Sequence, residues 1–127
     1  MMIKKSMLHD AVVCKENCTV LEVSRILRDT KSRQLIVINN VKEPIGIIST
    51  VDINNRLVSE GKDSNKTKAV DIMTSPIEVA DINETYESAY LKIIDNGTYS
   101  IPIVENGKIV GILSFNQIFM KAKEAMK

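Results

Sequence analysis

Gly46-Ile47-Ile48-Ser49 reads almost letter for letter like Gly111-Ile112-Leu113-Ser114, 65 residues further on. Upstream, Leu35-Ile36-Val37-Ile38 is answered by Ile101-Pro102-Ile103-Val104 at a separation of 66. At that same separation Val13 falls on Val79, Thr19-Val20 on Thr85-Tyr86, Val23 on Ala89, Leu27 on Ile93 and Met7 on Met73. The hairpin between the two runs is one residue shorter in the second copy, which accounts for the difference. A register held over about fifty residues per copy marks an internal duplication, and the duplication decides the fold.

Each copy has the same order of elements. A short apolar segment opens it, Val12-Val13 or Glu78-Val79. A helix follows: Val20, Val23, Ile26 and Leu27 in copy one, and Ala89, Ile93 and Ile94 in copy two, recur at helical spacing. Thr19 is the N-cap candidate in copy one, Asn83 or Thr85 in copy two, and Asn96-Gly97 ends the second helix. Two strands come next, joined in copy two by Asn106-Gly107, the strongest short hairpin signal, and in copy one by the looser Asn39-Asn40-Val41-Lys42-Glu43-Pro44. The runs from Leu35 to Ile38 and from Ile45 to Ile48 are apolar on both faces, as in strands covered on two sides. A closing helix is expected from Thr50 to about Glu60, stopped by Gly61, and from Phe115 to about Ala125. The polar stretch 62–68 reads as a linker. The expectation is an α+β fold of two β-α-β-β-α units, about 4–61 and 69–125, packed as one domain over 1–127.

Composition narrows the function classes. The chain has 127 residues and 14.2 kDa, with 44% hydrophobic and 26% charged residues, and a net charge of +1. That balance argues against a protein that grips nucleic acid by its phosphates and against an anchor on acidic membranes. The longest aliphatic run is four residues, Leu35 to Ile38, far below the ~20 a spanning helix needs. The first residues, with Lys4 and Lys5, lack the apolar stretch of a secretory signal, so a cytoplasmic protein is expected. Cys14 and Cys18 have three residues between them, with His9 as the one histidine, too few ligands for a metal site. No nucleophile–base pair or glycine-rich phosphate loop points to an enzyme. Lys4, Lys5, Lys62, Lys66 and Lys68 read as solvated, and Met7, Met73, Met120 and Met126 as packing residues.

Val70-Asp71-Ile72-Met73-Thr74, then Thr85-Tyr86-Glu87-Ser88-Ala89, then Ile101-Pro102-Ile103-Val104 and Gly111-Ile112-Leu113-Ser114 resemble the CBS domain, the repeat named for cystathionine β-synthase. Two in tandem resemble a Bateman module, and the likeness covers about Lys4 to Lys123. The resemblance implies a stand-alone CBS pair, its repeats related by pseudo-twofold symmetry, that is regulatory and needs no cofactor. It implies an adenosine-containing ligand such as AMP, ADP, ATP or S-adenosylmethionine in the cleft between repeats. It also implies a homodimer joined through helices, with Phe115, Phe119 and Met120 as contact candidates, and a protein partner of unknown identity.

The family's ribose–phosphate motif is matched by Gly46-Ile47-Ile48-Ser49-Thr50-Val51-Asp52. A strand delivering its chain to a helix start suits a phosphate. Ser49 and Thr50 hydroxyls can donate to phosphate oxygens, Asp52 can accept from both ribose hydroxyls, and Gly46 permits close approach. By the same resemblance Met73 and Ile77 supply apolar walls for adenine, Tyr99, Ser100 and Pro102 flank its edge, and Arg33 stands where a basic phosphate ligand is common. Ser-x-x-Asp is equally a helix-capping pattern, as is Ser114-Phe115-Asn116-Gln117. Sensor and ligand-free interaction scaffold therefore both stay open. Gln117 replaces the motif's Asp in copy two, so Ser114, Asn116 and Gln117 predict a second, weaker cleft. His9 and Asp10 map onto Ser75 and Pro76 at its flank.

Overall fold

The computed structural model describes residues 1–114. They divide into two units, Val12–Ile77 and a second formed by Met1–Ala11 with the chain from Glu78 onward. Each unit carries one three-stranded sheet.

In the unit Val12–Ile77, β1 (Val13–Lys15) leads through α1 (Val20–Thr30) to β2 (Gln34–Ile38), which hairpins into β3 (Pro44–Ser49). The β1–β2 pair is parallel, as a helical crossover requires, and β2–β3 is antiparallel. Thr19 caps α1, its hydroxyl accepting the Glu22 N–H at 3.2 Å. Val20, Val23 and Leu27 then fall on one face and pack on Leu35, Val37 and Ile48. Each such buried side chain contributes about 1.5–3 kcal/mol. Lys31, in the left-handed region at φ 56°, ends the helix.

After β3 the chain turns directly into α2 (Thr50–Ile53), then widens into a π-helical stretch, Asn54–Val58. The expected single helix is thus broken by one wider turn, in which Ser59 N–H reaches back to the Asn54 carbonyl at 2.9 Å. α3 (Ala69–Ile72) closes the unit.

The other unit repeats the plan with β4 (Ala80–Asp81), α4 (Tyr86–Asp95), β5 (Ser100–Glu105) and β6 (Lys108–Ser114). The strand β4 begins at Ala80 rather than at Glu78-Val79, because the parallel ladder holds only the pairs Ala80↔Ile103 and Asp81↔Val104. Thr85, not Asn83, caps α4. Tyr86, Ala89 and Ile93 are buried, whereas Ile94 is 49% exposed, one step of the helix away from the core face. Asn106 and Gly107 both have positive φ, the geometry of the expected tight hairpin turn.

The segments ahead of each repeat's first strand belong to the opposite unit. Ala69 and Ile72 lie in the core of Val12–Ile77, and Thr74 exchanges backbone hydrogen bonds with Ile47 at 2.8 and 3.0 Å. Ile3 lies in the core of the other unit, where His9 and Ile112 exchange bonds at 2.9 Å. Both exchanges depend on glycine. A side-chain carbon at Gly46 would collide with the Met73 sulfur, and one at Gly111 would lie 2.7 Å from Leu8 Cβ. The structural equivalents are therefore Leu8 with Met73 and His9 with Thr74, an offset of 65. The offset of 66, which paired Met7 with Met73 and His9 with Ser75, begins only after an extra residue between Thr74 and Val79. The segment from Phe115, with its expected helix and dimer contacts, lies outside the described residues.

Candidate functional site

Ser49 ends β3 and opens α2, and Asp52 stands one turn on. The Ser49 hydroxyl accepts the Asp52 N–H at 3.1 Å, and the Asp52 carboxylate accepts the Ser49 N–H at 2.9 Å through Oδ2. This is a complete capping box, so the capping reading is realised. The box engages one carboxylate oxygen. The other, Oδ1, lies 3.9 Å from the Arg56 guanidinium, with Asp52 only 17% exposed. Arg56 also donates to the Ile72 carbonyl at 2.9 Å. It thus ties the π-helical stretch to α3 and sets a positive charge beside Asp52. Sequence reasoning overlooked Arg56, although its i+4 spacing from Asp52 was a usable signal.

Met73 lies over Gly46, half-buried, at the exit of α3. Ile77, also half-buried, ends the same segment. The Arg33 carbonyl accepts the Thr50 N–H at 2.9 Å, which brings the exposed Arg33 to the motif through its backbone. Thr50 is exposed and lines an open pocket of about 330 Å³ with Ser24, Leu27, Arg28, Ser32 and Ile53. The helix side of this pocket was not legible from the motif, because Ser24 and Arg28 lie on α1, far from it in sequence. Thus Arg33, Gly46, Ser49, Thr50, Asp52, Met73 and Ile77 all belong to one unit.

Tyr99, Ser100 and Pro102 belong to the other. Tyr99 is 82% exposed ahead of β5, Ser100 pairs with Ser114, and Pro102 is buried opposite Ile112. Ser114 ends β6 with its hydroxyl 3.4 Å from His9 Nε2. Asn116 and Gln117 lie outside the described residues. In this unit Glu84 anchors the turn after β4. It accepts from Asp81 N–H at 2.6 Å, Ser88 Oγ at 2.6 Å and Lys92 Nζ at 3.0 Å. Burial pushes the Glu84 carboxyl up, but these donors outweigh burial and hold it below the usual glutamate range. At the matching turn of the first unit stand Cys18 and, within β1, the buried Cys14. Among the described residues no group of three or more metal-ligating side chains converges, and no helix is long and apolar enough to cross a membrane.

The duplicated sheet-and-helix unit, with its Gly-x-x-Ser-x-x-Asp motif at a strand-to-helix junction, can be set against known proteins. The family model for the CBS domain matches residues 3–59 and again 69–124. The chain belongs to the CBS-domain family. It is a CBS-domain pair, a regulatory module. The uncharacterized protein MK0525 of Methanopyrus kandleri is 30% identical over 111 residues, covering 87% of this chain and 57% of that protein. A 17.7 kDa protein of Acidianus ambivalens is 29% identical over 111 residues, covering 84% and 63%. The CBS pair thus spans about three-fifths of the length of these relatives. Among solved structures, Hypoxic Response Protein I with two coordinated zinc ions superposes with a TM-score of 0.83 at 18% identity, covering 94% of this chain and 98% of that one. CBSX2 in complex with AMP superposes with a TM-score of 0.77 at 21% identity, over the whole of both chains. These two likenesses are of fold.

Proposed function

We propose that this CBS pair is a sensor in which the unit Val12–Ile77 binds an adenosine-containing ligand and signals its occupancy to a partner protein. The observation that carries the reading is Met73 against Gly46, on the strand that ends at Ser49 and leads into Thr50 and Asp52 of α2. An apolar wall for an adenine ring and polar groups for a ribose and phosphate share one unit. In this reading Asp52 holds the ribose through the carboxylate oxygen that the capping box leaves available, accepting from a hydroxyl. Thr50 and Arg33, both exposed, meet the phosphate, and the Arg33 guanidinium suits a planar bidentate contact. Ligand contact with Met73 is passed to α3, since Met73 N–H bonds the Ala69 carbonyl at 3.1 Å. The AMP-bound CBSX2 supports a nucleotide as the ligand class. The same reading takes the protein to be a cytoplasmic homodimer with no chemistry of its own.

The test is calorimetric titration of the ligand-stripped protein with AMP, ADP, ATP and S-adenosylmethionine, repeated on Asp52→Asn. One compound should bind, and it should raise the unfolding midpoint, since about 100 Kd of ligand adds about 2.7 kcal/mol. Asp52→Asn should bind at least tenfold more weakly. Equal affinity in that variant would refute the assigned site.

A second reading has a specific observation behind it. The completed capping box of Ser49 and Asp52 explains both residues without any ligand. On that reading the pair is a scaffold for protein association, and no compound in the titration produces heat or a shifted midpoint.

A further inference from the structure

We propose that Cys14 and Cys18 form a reversible intramolecular disulfide, and that its closure loosens the hydrogen bonds by which segment 16–21 holds the linker 64–70. The two residues flank a tight turn, closed by Cys18 N–H on the Lys15 carbonyl at 3.1 Å. Cys14 is fixed in β1, opposite Val37, and is 5% exposed. Cys18 is half-buried and packs against the same core. Both are free thiols, and Cys18 stands close enough to bear on the Cys14 thiol electrostatically. In the second unit the equivalent positions are Ala80 and Glu84, and there the turn is tied by charge. In the first the same two positions hold thiols, both turned to one core.

The turn is also where the linker is fastened. Ala69 N–H donates to the Cys18 carbonyl at 2.7 Å and Val70 N–H to the Glu16 carbonyl at 3.2 Å. Val20 N–H donates to the Thr67 carbonyl at 2.8 Å and Leu21 N–H to the Ser64 carbonyl at 3.0 Å. Bonding draws the two sulfurs from a non-bonded separation to about 2.05 Å. Cys14 is held by its ladder, so Cys18 makes the movement and disturbs the 2.7 Å bond from Ala69 N–H to its carbonyl.

The chemistry balances with a peroxide as oxidant. Cys18 meets it first, because burial, more than the neighbouring Cys18, pushes the Cys14 thiol up to about 12 and keeps it protonated. The Cys18 sulfur attacks one peroxide oxygen, the O–O bond breaks, and a sulfenic acid and one water result. The Cys14 sulfur then attacks the Cys18 sulfur. The S–S bond forms, the S–O bond breaks, and the oxygen leaves as a second water with the Cys14 proton. Two thiols lose two electrons, and one peroxide becomes two waters. A dithiol reductant reverses the bond by exchange.

The experiment treats the full chain with hydrogen peroxide at a few molar equivalents. It then combines non-reducing tryptic mapping with amide hydrogen exchange. Trypsin cuts after Lys15, so the disulfide links peptide 6–15 to peptide 16–25, and dithiothreitol separates them. The expected result is that linked pair in monomeric protein, with exchange at Val20, Leu21, Ala69 and Val70 several-fold faster than in the reduced form. Cys18→Ser should give no linked pair and no peroxide effect on exchange. Linkage only between chains, sulfinic acid at Cys18 with Cys14 still reduced, or linkage with unchanged exchange would each overturn the proposal. So would an unchanged peroxide effect in Cys18→Ser.

Discussion

Ser49 and Asp52 each accept the other's backbone N–H, at 3.1 and 2.9 Å. One pair of side chains therefore both starts the helix and carries the proposed ligand contact. Asp52→Ala should lower stability by about 1 kcal/mol, as the loss of an N-terminal cap does. That corresponds to about 3–6 °C in the midpoint of a thermal unfolding curve followed by circular dichroism. Asp52→Asn keeps an acceptor for Ser49 and should lose less than half as much. Equal losses in the two variants would show that the charge, not the box, stabilises the turn.

Arg56 joins two segments that are far apart in sequence. Its bond to the Ile72 carbonyl is 2.9 Å, and the group stands 3.9 Å from Asp52. The pairing with Asp52 is half-exposed on the arginine side and contributes little. The bond to Ile72 is charge-assisted and is worth about 1–2 kcal/mol. Arg56→Met should therefore destabilise the protein by that amount in urea and speed amide exchange at Met73, the residue that follows the Arg56-bound carbonyl. Arg56→Lys should restore part of it.

The two glycines under the exchanged segments differ in what opposes them. At Gly46 an added methyl meets the Met73 side chain from its sulfur down to Cβ at 3.1 Å, and the two closest of these atoms, the sulfur and Cγ, can rotate away. At Gly111 it meets Leu8 Cβ and, at 3.0 Å, the His9 carbonyl oxygen, which are parts of the chain itself. Overpacking costs about 1–3 kcal/mol. Gly46→Ala should fall at the low end and Gly111→Ala at the high end or beyond. The double variant Gly46→Ala with Met73→Ala should be less destabilised than the sum of the single changes, since the truncation removes the two closest atoms, the sulfur and Cγ. Chemical denaturation of the four variants measures all of this.

Glu84, the part-buried carboxylate with three donors, should carry much of the loss of stability in acid. Its folded carboxyl lies below the usual value, so the unfolded chain binds the proton more readily. The stabilisation is fully present above the unfolded value of about 4.3 and is lost as the pH falls through the lower folded value. The unfolding midpoint should hold from neutrality to about pH 5 and decline below about pH 4.3, with Glu84→Gln showing a shallower decline. A decline of the same slope in Glu84→Gln would assign the acid sensitivity elsewhere, to Glu87 beside the terminal amine for example, which is also held low.

Much of the fold was legible because its signals are local. The spacing of Val20, Val23 and Leu27, the caps at Thr19 and Thr85, and the Asn106-Gly107 turn all act within a few residues. The motif residues Gly46, Ser49, Thr50 and Asp52 were equally plain, since a strand-to-helix junction is a contiguous feature. Arg56, the π-helical stretch and the pocket beside Ser24 and Arg28 were not. Each depends on a partner set by packing rather than by spacing: Ile72 for Arg56, and Thr50 for α1.

The repeat, its element order and its Gly-x-x-Ser-x-x-Asp motif were thus determined by the sequence alone, because periodicity, capping and turn chemistry are short-range. Only the tertiary structure decided that 69–77 joins the unit of the first repeat and 1–11 that of the second. Their hydrogen bonds to Ile47 and Ile112 join chain segments far apart, and the space over Gly46 and Gly111 admits whichever segment reaches it. No local pattern records that choice, since an offset of 65 and one of 66 read almost alike until a backbone pairs.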